Sequence, residues 1–191
     1  MEKPILFNSE MVKAILEGCK TQTRRAIRNI RAYHMDGTPG NKPMCNPGDV
    51  LYVRETWSWL NATDCGSFCL GPCKHYKGEY GCFVHKASNP NFTDAWKPSI
   101  HMPHEAARLF LKVKKVRIER LNDIRLNGCL SEGVKLTIAE ENDHVLAPIR
   151  ARRRFAEVWD STLKPAEIDR FGWAANPWVW VIEFEKLEGL P

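Results

Sequence analysis

The closing stretch "NPWVWVIEFEKL", residues 176–187, is apolar at every position from Trp178 to Ile182. Side chains alternate sides along a strand, so a strand apolar on both faces until Glu183 must be covered on both. That demands a sheet with this strand in its interior and packed elements on each side. Other segments can supply the neighbouring strands. "RLFLKVKKVRIERL" alternates at Leu109, Leu111 and Val113 and then at Val116 and Ile118. The lysines at 114 and 115 shift the phase by one, which predicts a bulge or bend between two short strands. "NPGDVLYVRETW" predicts a turn and a strand, with Val50, Tyr52 and Arg54 on one face and Leu51, Val53 and Glu55 on the other.

Three segments have helical spacing. "NSEMVKAILEG" has Asn8 or Ser9 as its cap, an apolar face of Met11, Val12, Ile15 and Leu16, and Gly18 for a left-handed stop. "NDIRLNGCLSEGV" predicts a short helix capped by Asn122 or Asp123, with Ile124, Cys129 and Leu130 facing inward. "PIRARRRFAEVWDSTL" is the clearest, with Ile149, Arg152, Phe155 or Ala156, and Trp159 near helical spacing. Strands separated by single helices, without the regular alternation of a doubly wound sheet, predict an α+β fold; a small mixed barrel with helices outside fits the pattern. The 191 residues suit one domain, 1–191, with residues 60–100 as an insertion poor in periodic core positions. No run approaches the ~18 apolar residues of a membrane span. "MEKPILFNSE" has no signal-peptide hydrophobic region, so a cytoplasmic location without membrane attachment is expected.

The insertion concentrates sulfur: "CGSFCLGPCKHYKGEYGC" holds Cys65, Cys69, Cys73 and Cys82. Four thiolates can complete a tetrahedral zinc site, with His75 or His85 as alternates, and such a site would be structural because no position stays open. The C-x3-C-x3-C-x8-C spacing departs from paired C-x2-C knuckles, so reduced thiols and disulfides stay as alternatives. Cys19, Cys45 and Cys129 read as isolated thiols, and Cys19, beside Lys20, as the most reactive of them. His101 and His104 in "HMPH" lack an evident third ligand and read as structural.

Charge is the other signal. The net charge of +5 is mild, but "KTQTRRAIRNIR" and "IRARRR" concentrate it. In "EGCKTQTRR", residues 17–25, a basic cluster follows the first helix. A lysine whose pKa is lowered by neighbouring cations can serve as a general base, a threonine hydroxyl as a nucleophile, and arginines as holders of a phosphate or oxyanion. The bland alternative is a solvated loop whose cations complement the helix C-terminus. "RARRR" likewise reads as a phosphate track or a solvated helix face. Trp57 can stack a base, whereas Trp173, Trp178 and Trp180 read as core.

"EGCKTQTRR" resembles the Gly-x-Lys-x-x-Thr-x-Arg signature of ASCH-domain proteins, a branch of the PUA-like fold, at Gly18, Lys20, Thr23 and Arg25. "KPILF", "PGDVLYVRETW", "LNDIRLNGCLSEGV" and the terminal "WVIEF" are similar to the family's other segments, in the same order. "KPSIHMP" and "GWAANPWVWVIEF" are similar in layout to ASCH-like proteins of phages and prophages. The resemblance implies a small mixed β-barrel with flanking helices and a cleft, and a partner that is RNA or a modified nucleoside. It implies a nucleoside- or RNA-directed hydrolase, most concretely an amidohydrolase that deacylates N4-acetylcytidine, with Lys20 as base, Thr23 as nucleophile and Glu132 as acid/base, and no catalytic cofactor. Arg24, Arg25, Arg54, Glu55 and Trp57 would bind substrate or RNA. The alternatives are a noncatalytic RNA-binding module and a single-stranded RNA ribonuclease using the same basic cleft. Arg24 stands where compact family enzymes tend to have an aliphatic residue, which favours a polynucleotide.

Overall fold

A computed structural model describes residues 2–30, 32–63, 73–92 and 95–188. Its strands are β1 (Glu2–Leu6), β2 (Gln22–Ala26), β3 (Val50–Arg54), β4 (Trp57–Asn61), β5 (Lys74–Tyr76), β6 (Glu79–His85), β7 (Phe110–Arg120) and β8 (Trp178–Lys186). The α-helices are α1 (Ser9–Leu16), α2 (Leu126–Ser131), α3 (Ile138–Glu141), α4 (Leu146–Ser161) and α5 (Ile168–Phe171). Five strands form one mixed sheet in the order β1-β3-β7-β8-β2, and three form a second in the order β4-β6-β5. β8 lies inside the first sheet, as its two apolar faces require. The order is linear, with β1 and β2 at its ends, so the architecture is α+β with open sheets and not the expected closed barrel.

The chain packs as two compact units, one built from residues 1–17, 50–111 and 187–191 and the other from 18–49 and 112–186. In the first, β1 runs parallel to β3, and Asn8 caps α1 by accepting a hydrogen bond from the Met11 amide at 2.9 Å. Strands β4, β5 and β6 of this unit form the three-stranded sheet, and Leu60, Cys82, Val84 and Phe92 pack together beside it. The described residues of the 60–100 stretch therefore contribute a small core cluster, contrary to the core-poor expectation. Its short strands hide that core from a search for long periodic runs.

In the second unit β2 pairs antiparallel with β8, Thr23 opposite Ile182 and Arg24 opposite Val181. The basic segment expected on a loop is thus a strand. β7 is one continuous strand, where the alternation predicts two short ones. The phase shift survives as two successive exposed lysines between the buried and half-buried parts of the strand. α4 buries Ala147, Ala151, Phe155 and Trp159, while Ile149 is 60% exposed. The buried stripe runs at a strict four-residue spacing and includes Ala147 and Ala151, small enough for close approach of α2, which a search for bulky apolar residues passes over. Leu121, Ile124, Cys129, Val179 and Val181 complete this core. The cap of α2 also differs from expectation: Asn122 and Asp123 lie in a preceding 3₁₀ turn, and Arg125 occupies the N-cap.

Candidate functional site

β2 sets the site because its side chains alternate. Gln22 donates to the Gly128 carbonyl at 2.9 Å, and Arg24 donates through Nη1 to Glu132 Oε1 and through Nη2 to Glu119 Oε2, both at 3.0 Å. These residues share the face covered by α2 and α4, and the Arg24 guanidinium lies 5.9 Å from the Phe155 ring centroid. Just before the strand, Lys20 forms a bridge with Glu132, donating to its Oε2 at 2.7 Å and to its carbonyl oxygen at 2.9 Å. Thr23 is buried and lies between Gln22 and Arg24 in the strand, so its side chain takes the opposite face, that of Ile182. Arg25 follows on that same opposite face by the same alternation.

The sequence explains why Glu132 is available. It sits at the C-cap of α2, and Gly133 follows with φ +93°, a left-handed turn that ends the helix and presents Glu132 to β2. Gly128 lets α2 come close. A Cβ there would stand 2.9 Å from Ile124 Cγ1 and 3.4 Å from both Arg24 Nη2 and Gln22 Nε2.

The result is a dry ionic network. The side chains of Lys20, Arg24 and Glu132 are 0%, 2% and 6% exposed, and Glu119, at 24%, connects the network to the surface. Burial lowers the Lys20 pKa; the Glu132 carboxylate, by charge and hydrogen bond, raises it, and the Arg25 and Arg24 charges lower it further. Arg25, half-buried, also has a lowered pKa, from burial opposed by the Glu132 charge. The thiol of Cys129 is pushed up to about 11 by burial.

Outside this network opens a pocket of about 640 Å³, lined by Arg24, Arg117, Glu119, Asn122, Asp123, Arg125, Gly128 and Arg152. Arg117 binds Glu119 and Glu183, so its charge is compensated. Arg152 donates to the Ile124 carbonyl at 3.1 Å and has no carboxylate partner among the described residues. The Arg125 side chain has no hydrogen bond or ion pair among them, and of the two lining acids Asp123 is the one without an ion-pair partner. Arg24 Nε and Asn122 Oδ1 are buried without hydrogen-bond partners.

No family model matches this chain, and no curated protein does. Among solved structures, an ASCH domain from Lactobacillus crispatus is similar at 12% identity and a TM-score of 0.35, over 92% of this chain and 70% of that one.

The remaining residues singled out from the sequence lie elsewhere. Arg54, Glu55 and Trp57 belong to the first unit. Arg54 donates to the Ile100 carbonyl. Glu55 is 1% exposed and accepts from Arg108 Nε and Nη2 at 2.9 and 3.1 Å, and Arg108 also reaches Ser88. Trp57 is 3% exposed among Met102, Ala106, Ala107 and Phe110, with Lys97 Nζ 4.9 Å from its ring centroid. Of the cysteines expected to ligate zinc, Cys65 and Cys69 lie outside the described residues; Cys82 is buried and Cys73 half-buried beside the Leu60 cluster. His85 is buried with its Nε2 2.8 Å from the Ala106 carbonyl, and burial lowers its pKa; His75 packs against Tyr80. Among the described residues no three His, Cys, Asp or Glu gather as a metal site. None of their helices is long and apolar enough to cross a membrane.

Sequence reasoning passed over Arg117, Glu119, Asn122 and Arg125. Arg117 and Glu119 stand two apart on β7, and that spacing was the available signal for a shared face.

Proposed function

We propose that this chain is an ASCH-type, PUA-like module that binds single-stranded RNA, with the arginine-lined pocket of the second unit holding phosphate. The observation that carries this reading is the pair of guanidinium groups, Arg125 and Arg152, that line the pocket without carboxylate partners among the described residues. Planar guanidinium groups present paired donors that match phosphate oxygens. The Lys20–Glu132–Arg24 network stands behind them as a rigid wall. Its charges are already matched, and its exposure is too low for direct contact with a polymer. The pattern Gly18, Lys20, Thr23, Arg25 supports the family reading.

The deciding experiment is fluorescence anisotropy with a short labelled single-stranded RNA at low salt, for the natural protein and for Arg125→Ala and Arg152→Ala. Each variant is expected to bind several-fold more weakly. A folded natural protein that binds no RNA, or variants that bind as well as it does, would end this reading.

A second reading, deacylation of N4-acetylcytidine by Lys20, Thr23 and Glu132, is favoured by the 2.7 Å Lys20–Glu132 contact together with the lowered Lys20 pKa. A lysine moved toward its neutral amine is what a general base requires. For catalysis Thr23 must act from the other face of β2. Turnover of N4-acetylcytidine, followed by absorbance and lost in Thr23→Val, would decide for this reading.

A further inference from the structure

Next to the phosphate pocket lies a second cavity of about 460 Å³, on the outer side of α4. Arg152 belongs to both, forming the wall between them. The second cavity differs in kind. It is lined by Ile149, Ala156 and Trp173, and its charged groups are already engaged: Arg153 pairs with Glu157 at 3.7 Å, and Asp160 Oδ1 accepts the Trp173 amide at 2.8 Å. A compensated, largely apolar groove suits a neutral, flat occupant and disfavours an ion.

The aromatic wall is held in place. Gly172 precedes Trp173 in a turn so tight that a Cβ would stand 2.6 Å from the Ile168 carbonyl oxygen. The Trp173 ring meets the Phe155 ring edge-on at 6.0 Å, and the Arg152 guanidinium carbon lies 5.4 Å from its centroid. Half-buried Trp173 thus turns part of its ring to the core and part to the groove. Ile149, 60% exposed, extends that apolar surface outward.

We infer that the Trp173 groove receives the base of the RNA nucleotide whose phosphate is held in the arginine pocket. Arg152 serves both halves: its charge faces the phosphate, and its guanidinium plane, beside Trp173, offers a stacking surface. This inference rests on the RNA-binding reading and adds the position of the base to it. It also gives exposed Ile149, which the packing of the core leaves unexplained, a ligand to contact.

The test compares a short single-stranded RNA with the same ribose–phosphate chain lacking its bases, by calorimetry at low salt. The natural protein is expected to bind the base-bearing RNA at least about fivefold more tightly, the lower range for stacking one base on an aromatic side chain. Ala156→Leu, which fills the groove with a neutral side chain without removing core, should abolish that preference and leave affinity for the abasic chain nearly unchanged. Trp173→Leu should do the same, and its abasic affinity reports whether it is folded. Arg125→Ala should weaken both ligands alike. Equal affinity for the two chains, or a preference that survives both groove variants, would overturn the inference and leave the phosphate pocket standing. Binding of neither chain would overturn the RNA-binding reading and this inference with it.

Discussion

Glu132 answers two buried cations at once, Lys20 at 2.7 Å and Arg24 at 3.0 Å. Removing its carboxylate takes the ion-pair partner from a lysine with no exposed side-chain surface, leaving it the backbone carbonyl of residue 132, while Arg24 keeps Glu119. Breaking a buried pair from one side costs about 3–5 kcal/mol, because the remaining charge is desolvated without compensation. Glu132→Ala is therefore expected to lose about that much stability in urea denaturation. Lys20→Met should lose clearly less, since Arg24 still satisfies the carboxylate. Equal losses would mean that Arg24 does not hold Glu132. The asymmetry also bears on activity measurements, since a dead Glu132→Ala variant need only be an unfolded one. Cys129 gives a second test at this scale. It has no exposed surface, and burial holds its thiol as the neutral form up to about pH 11. At pH 8 it should resist iodoacetamide in the folded protein and react on denaturation, and peptide mass spectrometry reads the difference. Alkylation of folded protein at Cys129 would show that its core opens.

Among the elements, the contact of α2 with β2 depends on one missing side chain. Gly128→Ala forces a Cβ against buried Ile124 and against the Arg24 and Gln22 side chains that bond around it. Overpacking of this kind costs typically about 1–3 kcal/mol. The variant should lose stability in that range and, by lifting α2, also weaken RNA binding; unchanged stability would show that α2 moves freely. α3 supplies a pH test. Thr137 and Glu140 form a reciprocal capping box, and Arg154 donates to both Glu140 oxygens, at 2.8 and 3.0 Å. The Thr137 backbone amide, first, and the Arg154 pairing hold the Glu140 carboxyl down from 4.5 to about 2. A depressed carboxyl pKa stabilises the fold fully above 4.5, and that contribution fades as pH falls through about 2. The melting temperature of Glu140→Gln should accordingly lie below that of the natural protein at pH 6 and converge on it toward pH 2. A gap that stays constant with pH would place the effect outside ionisation.

For the whole molecule, charge balance says little and charge placement says much. A net charge of +5 spread evenly would attract any polyanion weakly. Here Arg154 is held by Glu140, Arg150 stands 4.0 Å from Asp143 and Arg153 3.7 Å from Glu157, so the "RARRR" run is mostly a compensated helix face. Among the described residues that line the pocket, Arg125 and Arg152 remain for a ligand. Two phosphate contacts give a slope of about −1.4 for log affinity against log salt on single-stranded nucleic acid, and Arg125→Ala should reduce it by about 0.7. A much steeper natural slope would mean that basic residues beyond the pocket take part.

The sequence by itself determined the elements whose signal is local. β8 reads as interior from its two apolar faces, α1 ends at Gly18 with φ +76°, and β3 buries Leu51 and Val53 as its alternation requires. Propensity, capping and periodicity act between residues a few positions apart, so one chain is enough to show them. Tertiary structure alone decided the site. Lys20 and Glu132 are 112 residues apart, and Arg24 and Glu119 are 95 apart; no local pattern encodes which acid a buried cation will meet. It also decided that the basic cluster is a strand, because only pairing with β8 sends Arg24 to one face and Thr23 to the other. Which arginines are left to hold a ligand is likewise the outcome of long-range pairing: a charge becomes available when folding brings it no partner.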